Sequence, residues 1–143
     1  MDKIKRLEVI NEEWRDCTRC GIHETRGEDA VCMGLGGEDA DYLFVLSPPT
    51  AIDMVMGTPL AGSKEFEQFE ELLAVAGIGL EDTYLINHMG CRPSLAIGET
   101  ETEAAHILDR KPLAKEYNVC GPRMEEVLYA VDPRVVVIMD EQA

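Results

Sequence analysis

An α/β fold, three layers deep (α/β/α) around a mostly parallel sheet, is what this sequence predicts. Three observations carry the prediction. Apolar runs at 42–46, 83–87 and 134–139 have the composition of strands covered on both faces. Segments with apolar residues at helical spacing lie between them. Strands alternating with helices imply parallel neighbours joined by crossover helices. The 143 residues, 45% hydrophobic and 29% charged, fit one domain, 1–143, with a sizeable core.

Taken in order, Ile4, Leu7, Ile10 and Trp14 form one stripe, which predicts an amphipathic helix over 3–15. Residues 21–40 are rich in Gly and Asp and read as loop, with a short strand around 31–33. The run Tyr42-Leu43-Phe44-Val45-Leu46 is a strand stopped by Ser47-Pro48-Pro49, because proline cannot donate to a ladder. A loop over 47–64 follows. Phe66, Phe69, Leu72, Leu73 and Ala76 then share the buried face of a helix that Gly77 ends. Thr83-Tyr84-Leu85-Ile86-Asn87 is the second core strand. Thr100 and Glu103 form a capping box for a short helix to about Arg110, and Pro112 blocks its continuation. Gly121-Pro122 opens another helix, with apolar Met124, Val127, Leu128 and Val131. The third strand is Arg134 to Met139. No crossover helix follows it, so a protein partner is expected to cover that side.

Charge excludes one class of function. Thirteen basic residues against 28 acidic ones give a formal net charge of −15. Such a surface repels a phosphate backbone, so nucleic-acid contact needs a local basic patch or a partner. The acidity suits either an ordinary cytosolic surface or adaptation to salt. No apolar stretch is long enough to span a membrane, and the N-terminus lacks a signal-peptide core. Both point to a cytoplasmic protein with no membrane partner.

Five cysteines remain to be placed. Structural disulfides are disfavoured in the cytoplasm. Cys17 and Cys20 form a C-x2-C pair, a metal-binding spacing that a redox pair also uses. Cys91 lies just past a strand and Cys120 just before a helix, positions from which rigid elements can hold a ligand sulfur. Four thiolates suit a cubic iron–sulfur cluster or a zinc ion. Cys32, beside Val31 and Met33, reads as a small buried hydrophobe.

Taken together, Cys17-x-x-Cys20, Arg26, the strand at 42–46, Gly57-Thr58-Pro59-Leu60-Ala61-Gly62, Tyr84-Leu85-Ile86-Asn87 leading to Cys91-Arg92-Pro93, Cys120 and the strand at 133–138 form an ordered pattern. It resembles the iron–sulfur uracil-DNA glycosylases of bacterial and archaeal type 4 and type 5, including related virus-encoded domains. Residues 57–62 resemble that family's G-x-P-F-x-G, and 84–93 resemble its Y-I-T-N leading to K-C-R-P. The resemblance implies a uracil-DNA-glycosylase fold and a [4Fe-4S] cluster on Cys17, Cys20, Cys91 and Cys120, with zinc as the alternative. It implies a base pocket at Pro59, Leu60 and Asn87, catalytic roles for Asn87 and Asp53, and DNA contact by Arg92.

Departures bear on activity. The family's Gly-Glu-x-Pro-Gly turn is here Leu46-Ser47-Pro48-Pro49-Thr50, without its carboxylate, and Ser47 cannot serve as a base. Leu60 replaces the aromatic that stacks on uracil, an interaction worth about 1–3 kcal/mol. Residues 94–118 read as an insertion. The family's C-terminal histidine motif is absent, so the chain reads as C-terminally truncated, and none of the three histidines replaces that motif. The expected function is a degenerate iron–sulfur glycosylase-like domain, inactive alone, serving as a structural or DNA-associated module of a larger, viral assembly in the host cytoplasm. The alternatives are an active glycosylase completed by a missing segment or partner chain, and a zinc-stabilised protein adaptor.

Overall fold

The computed structural model describes residues 2–26, 29–97 and 106–140. Helix α1, Lys3–Trp14, starts where the Asp2 carboxylate accepts the Lys5 N–H at 2.8 Å. It buries Leu7, Ile10 and Trp14, while Ile4 stays exposed. After the single turn α2, His23–Arg26, comes a two-residue strand β1, Leu35–Gly36. The expected strand at 31–33 is not formed; the extended pairing begins two residues later. Strand β2 is Tyr42–Leu46, α3 is Ala51–Met56, α4 is Ser63–Ala76 and β3 is Thr83–Asn87. Strands β4, Ser94–Ile97, and β5, His106–Asp109, precede α5, Ala114–Val131, and β6, Val135–Ile138.

The main sheet runs β1-β3-β2-β6. Strand β2 pairs in parallel with β3 on one side and β6 on the other, and β1 pairs antiparallel to β3. The sheet is therefore mixed, with its three long strands parallel. Alternation along β2 builds the layers. Leu43 and Val45 face α1 and α5, where Leu7, Ile10, Trp14, Val127, Ala130 and Val131 pack. Phe44 and Leu46 face α4 through Phe69 and Leu73, with the Phe44 and Phe69 rings edge-on at 5.0 Å. Gly36 holds φ +145°, and a Cβ there would collide with the Thr83 carbonyl, so only glycine lets β1 approach β3.

Four expectations are corrected. Residues 51–56, read as loop, are helix α3, capped by Thr50 and ended by Gly57 at φ +77°. On α4 only Phe69 and Leu73 are buried; Leu72 is exposed, because the sheet is narrow and touches one edge of the helix. The helix expected up to Arg110 is instead strand β5, antiparallel to β4, while Thr100 and Glu103 lie outside the described residues. Helix α5 begins at Ala114 and passes through Pro122. Its inward-facing residues Tyr117, Cys120, Val127 and Val131 continue across the proline. That burial outweighs a proline penalty of about 3 kcal/mol.

Strand β6 is the outer edge of the sheet, with Val135, Val136 and Ile138 exposed. Among the described residues no helix is long and apolar enough to cross a membrane.

Candidate functional site

In a sheet of this kind the crevice for a ligand lies beyond the carboxyl ends of the strands, where chain order reverses. That place is the end of β2, flanked by β3 and β6. The ladder runs on past the strands: His88 N–H donates to the Leu46 carbonyl at 2.8 Å and Met139 N–H to the Val45 carbonyl at 2.8 Å. Asn87, His88, Ser47 and Asp140 therefore meet at one edge.

Asn87 is 3% exposed and bound at three points. Its Nδ2 donates to the Ser47 carbonyl at 2.8 Å, and its Oδ1 accepts from the Cys32 thiol at 3.3 Å. Its backbone carbonyl accepts from Arg123 Nη2 at 2.8 Å. Arg123 also reaches the Cys32 carbonyl at 3.5 Å. This guanidinium is buried, and its Nε has no hydrogen-bond partner among the described residues. Burial pushes the Cys32 thiol up to about 12, with the Arg123 charge opposing, so the sulfur keeps its proton.

Asp53 is also buried, and both its oxygens are committed. Oδ2 accepts the Thr50 N–H at 3.0 Å and Oδ1 the Ala61 N–H at 2.9 Å. Asp53 N–H returns a bond to Thr50 Oγ1 at 3.3 Å, completing a capping box on α3. The residue holds the 50–53 turn against the 57–62 loop. Asp53→Ala is expected to lower stability by about 1–2 kcal/mol, read as a shifted denaturant midpoint at constant slope. A midpoint equal to wild type would refute this bracing role.

Leu60 sits at φ +50°, a left-handed conformation that a branched side chain enters only under constraint, and Pro59 before it is fully buried. Leu60 and Asp53 line one cleft of about 220 Å³ with Thr50, Ile52, Gly62 and Glu65. Neither Asn87 nor Pro59 is among the residues lining that cleft. Arg92 Nε donates to the Asp109 carboxylate of β5, which ties β5 to the segment that follows β3.

One pair escaped the sequence reading. His88 Nδ1 lies 3.3 Å from Asp140 Oδ2, both side chains are 9% exposed, and the imidazole stacks on Tyr117 at 4.4 Å. Burial first, then the nearby Asp140 carboxylate, pushes the Tyr117 hydroxyl up. The sequence held no sign of this, because the partners are 52 residues apart.

The expected four-cysteine metal centre is corrected. Among the described residues no group of three or more His, Cys, Asp or Glu side chains is placed to hold a metal ion. Cys17, Cys20, Cys91 and Cys120 do line one cavity, but Trp14, Ile22, Val31 and Met89 fill it to about 20 Å³. That is room for about one water, not for four irons and four sulfides. Burial pushes the Cys20 thiol up. Neither a [4Fe-4S] cluster nor zinc is assigned; the four cysteines pack beside the apolar core.

Residues 33–143, from the loop before β1 through the whole crevice, match the model of the uracil DNA glycosylase superfamily. The chain belongs to this superfamily. It is 28% identical to the type-4 uracil-DNA glycosylase of Archaeoglobus fulgidus over 136 residues, which is 95% of this chain and 60% of the relative. It is likewise 28% identical to the type-4 enzyme of Thermotoga maritima over 137 residues, covering 96% of this chain and 63% of the relative. The corresponding Saccharolobus solfataricus protein is 23% identical over 133 residues. The chain thus spans about 60% of the length of these uracil-DNA glycosylases. Superfamily membership rests on the match over residues 33–143. It does not rest on a metal.

Proposed function

We propose that this chain is a divergent uracil-DNA-glycosylase domain that recognises a base through Asn87 but does not excise uracil by itself. Its role is that of a DNA-associated accessory module in a cytoplasmic assembly. The observation that carries this reading is the fate of the carboxylates. Hydrolysis of an N-glycosidic bond needs a group to orient water and balance positive charge on the sugar. The turn after β2 carries no acid, Asp53 has both oxygens occupied by backbone N–H groups, and the carboxylate that does reach this edge, Asp140, is paired with His88. Asn87 retains one amide proton and one lone pair beyond its internal bonds, enough to meet a base edge. Pro59 and Leu60 wall the neighbouring loop, and Arg92, paired with Asp109, is the cation that the resemblance offers to a phosphate. The single domain 1–143 carries 94–118 as an insertion. The open edge of β6, with Val135, Val136 and Ile138 exposed, suits a protein partner better than bare DNA on so acidic a chain.

The test is incubation of the full chain with a single-stranded oligonucleotide bearing one uracil, followed by alkaline strand cleavage. No abasic product above background is expected. Robust turnover by the isolated chain, abolished in Asn87→Ala, would overturn the non-excising reading. Turnover that appears only when a further segment or partner chain is added would favour the second reading, an active glycosylase completed in that way. What supports that second reading is the length of the relatives, of which this chain spans about 60%.

A further inference from the structure

The two partners of the Asn87 side chain have opposite hydrogen-bonding character. The Ser47 carbonyl can only accept, so the group facing it at 2.8 Å must be Nδ2. The Cys32 thiol, 1% exposed, donates at 3.3 Å to Oδ1, a bond that a flipped amide could replace only with a weaker N–H···S contact. A flipped amide would also set oxygen against oxygen at Ser47. The backbone keeps both partners in place. Ser47 precedes Pro48, which restricts it to extended conformations and fixes the direction of its carbonyl. Arg123 grips the carbonyls of both Asn87 and Cys32 from α5.

We infer that the Ser47 carbonyl and the Cys32 thiol lock the flip state of the Asn87 amide, which makes Cys32 a specificity-determining positioning residue. The inference rests on the base-reading role proposed for Asn87. In the locked state the amide offers a donor and an acceptor in a fixed order. Uracil meets it with a carbonyl and a ring N–H. Cytosine presents an amino group and a bare ring nitrogen at the same places, donor to donor and acceptor to acceptor. Without the thiol, Oδ1 loses its donor, the Ser47 carbonyl alone opposes the flip, and the flipped amide, suited to cytosine, becomes more accessible.

The experiment is fluorescence-anisotropy binding of the full chain to single-stranded oligonucleotides that differ only in carrying uracil or cytosine at one position. Wild type, Cys32→Ser and Cys32→Ala are compared, and the side-chain amide resonances of Asn87 are followed by NMR. Wild type is expected to prefer uracil by about tenfold or more, the value of one good bidentate contact. Cys32→Ala is expected to lose most of that preference and to shift the Asn87 amide resonances. Cys32→Ser, which restores a donor, is expected to recover both. A wild-type preference that survives intact in Cys32→Ala, or a serine variant that behaves like the alanine one, overturns the role of Cys32. Equal wild-type affinities overturn the base-reading role of Asn87 itself.

Discussion

Trp14→Ala is expected to remove about 3–5 kcal/mol of stability, a large part of what a domain of this size possesses. Trp14 is 1% exposed and ends α1 in the layer formed with α5. Three contacts converge on it. The ring packs with Leu7, Ile10, Val127, Ala130 and Val131 in one apolar cluster. Its indole N–H donates to Glu126 Oε2 of α5 at 3.1 Å, and the Arg19 guanidinium lies 3.9 Å above the ring centroid. Truncation opens a cavity between two helices that the sheet holds apart, so the void can collapse only in part. It also removes one wall of the cysteine cavity. This is the only tryptophan, so the comparison needs circular dichroism in urea rather than fluorescence. A Trp14→Phe control keeps most of the packing and loses the Glu126 bond, which sets its expected loss near 1 kcal/mol. An alanine variant within about 1 kcal/mol of wild type would mean that α1 is not integral to the core.

The elements that the sequence made legible share a physical reason. Strands β2 and β3 are short apolar runs with Pro or Gly close by, and burial on both faces leaves no other use for them; β6 has the same composition but lies at the open edge, with Val135, Val136 and Ile138 exposed. The stripe of α1 was readable because the helix packs on one side only. Short-range signals were present yet outweighed at α3: Thr50-x-x-Asp53 is a capping box in plain view, but Pro48, Pro49, Gly57 and Pro59 around it spell loop. At Pro122 a local rule lost to tertiary packing. The candidate site divides the same way. Asn87 was identifiable through the resemblance of 84–93 to the family's strand motif, not from its place in the chain alone. Its partners Cys32 and Arg123 lie 55 and 36 residues away in the chain, and no pattern in one sequence joins them. The cysteines show the limit most clearly. Their convergence on one cavity was readable, whereas its volume depends on how Trp14, Ile22, Val31 and Met89 pack.

Glu116→Gln is expected to cost about 2 kcal/mol at neutral pH and to flatten the acid limb of the stability curve. Glu116 is buried at the first turn of α5, where its two oxygens accept from Arg110 Nη1 at 2.8 Å and Nη2 at 2.7 Å. The same carboxylate accepts the Leu113 N–H at 2.7 Å and so caps a helix whose N-cap residue has no side-chain acceptor. Arg110 also donates through Nε to the Ser94 carbonyl. One carboxylate therefore joins the β4–β5 sheet to α5. The Arg110 hydrogen bonds hold the Glu116 carboxyl below the usual glutamate range, with burial opposing and the Leu113 N–H assisting. A depressed folded-state value contributes stability above the unfolded-state value, about pH 4.3, and that stability is lost as pH falls through the folded value. Arg110 is partly exposed, which discounts the Coulombic part and keeps the estimate near 2 kcal/mol rather than the higher figure for fully buried pairs. The gap between wild type and Glu116→Gln, measured by urea unfolding, should therefore be widest at pH 6–7 and narrow towards pH 3. Glutamine keeps one acceptor for the Leu113 N–H, so a residual cap should persist at every pH. A gap that stays constant from pH 7 to pH 3 would assign the loss to packing and remove the ion pair from the account of how the 94–109 excursion is held.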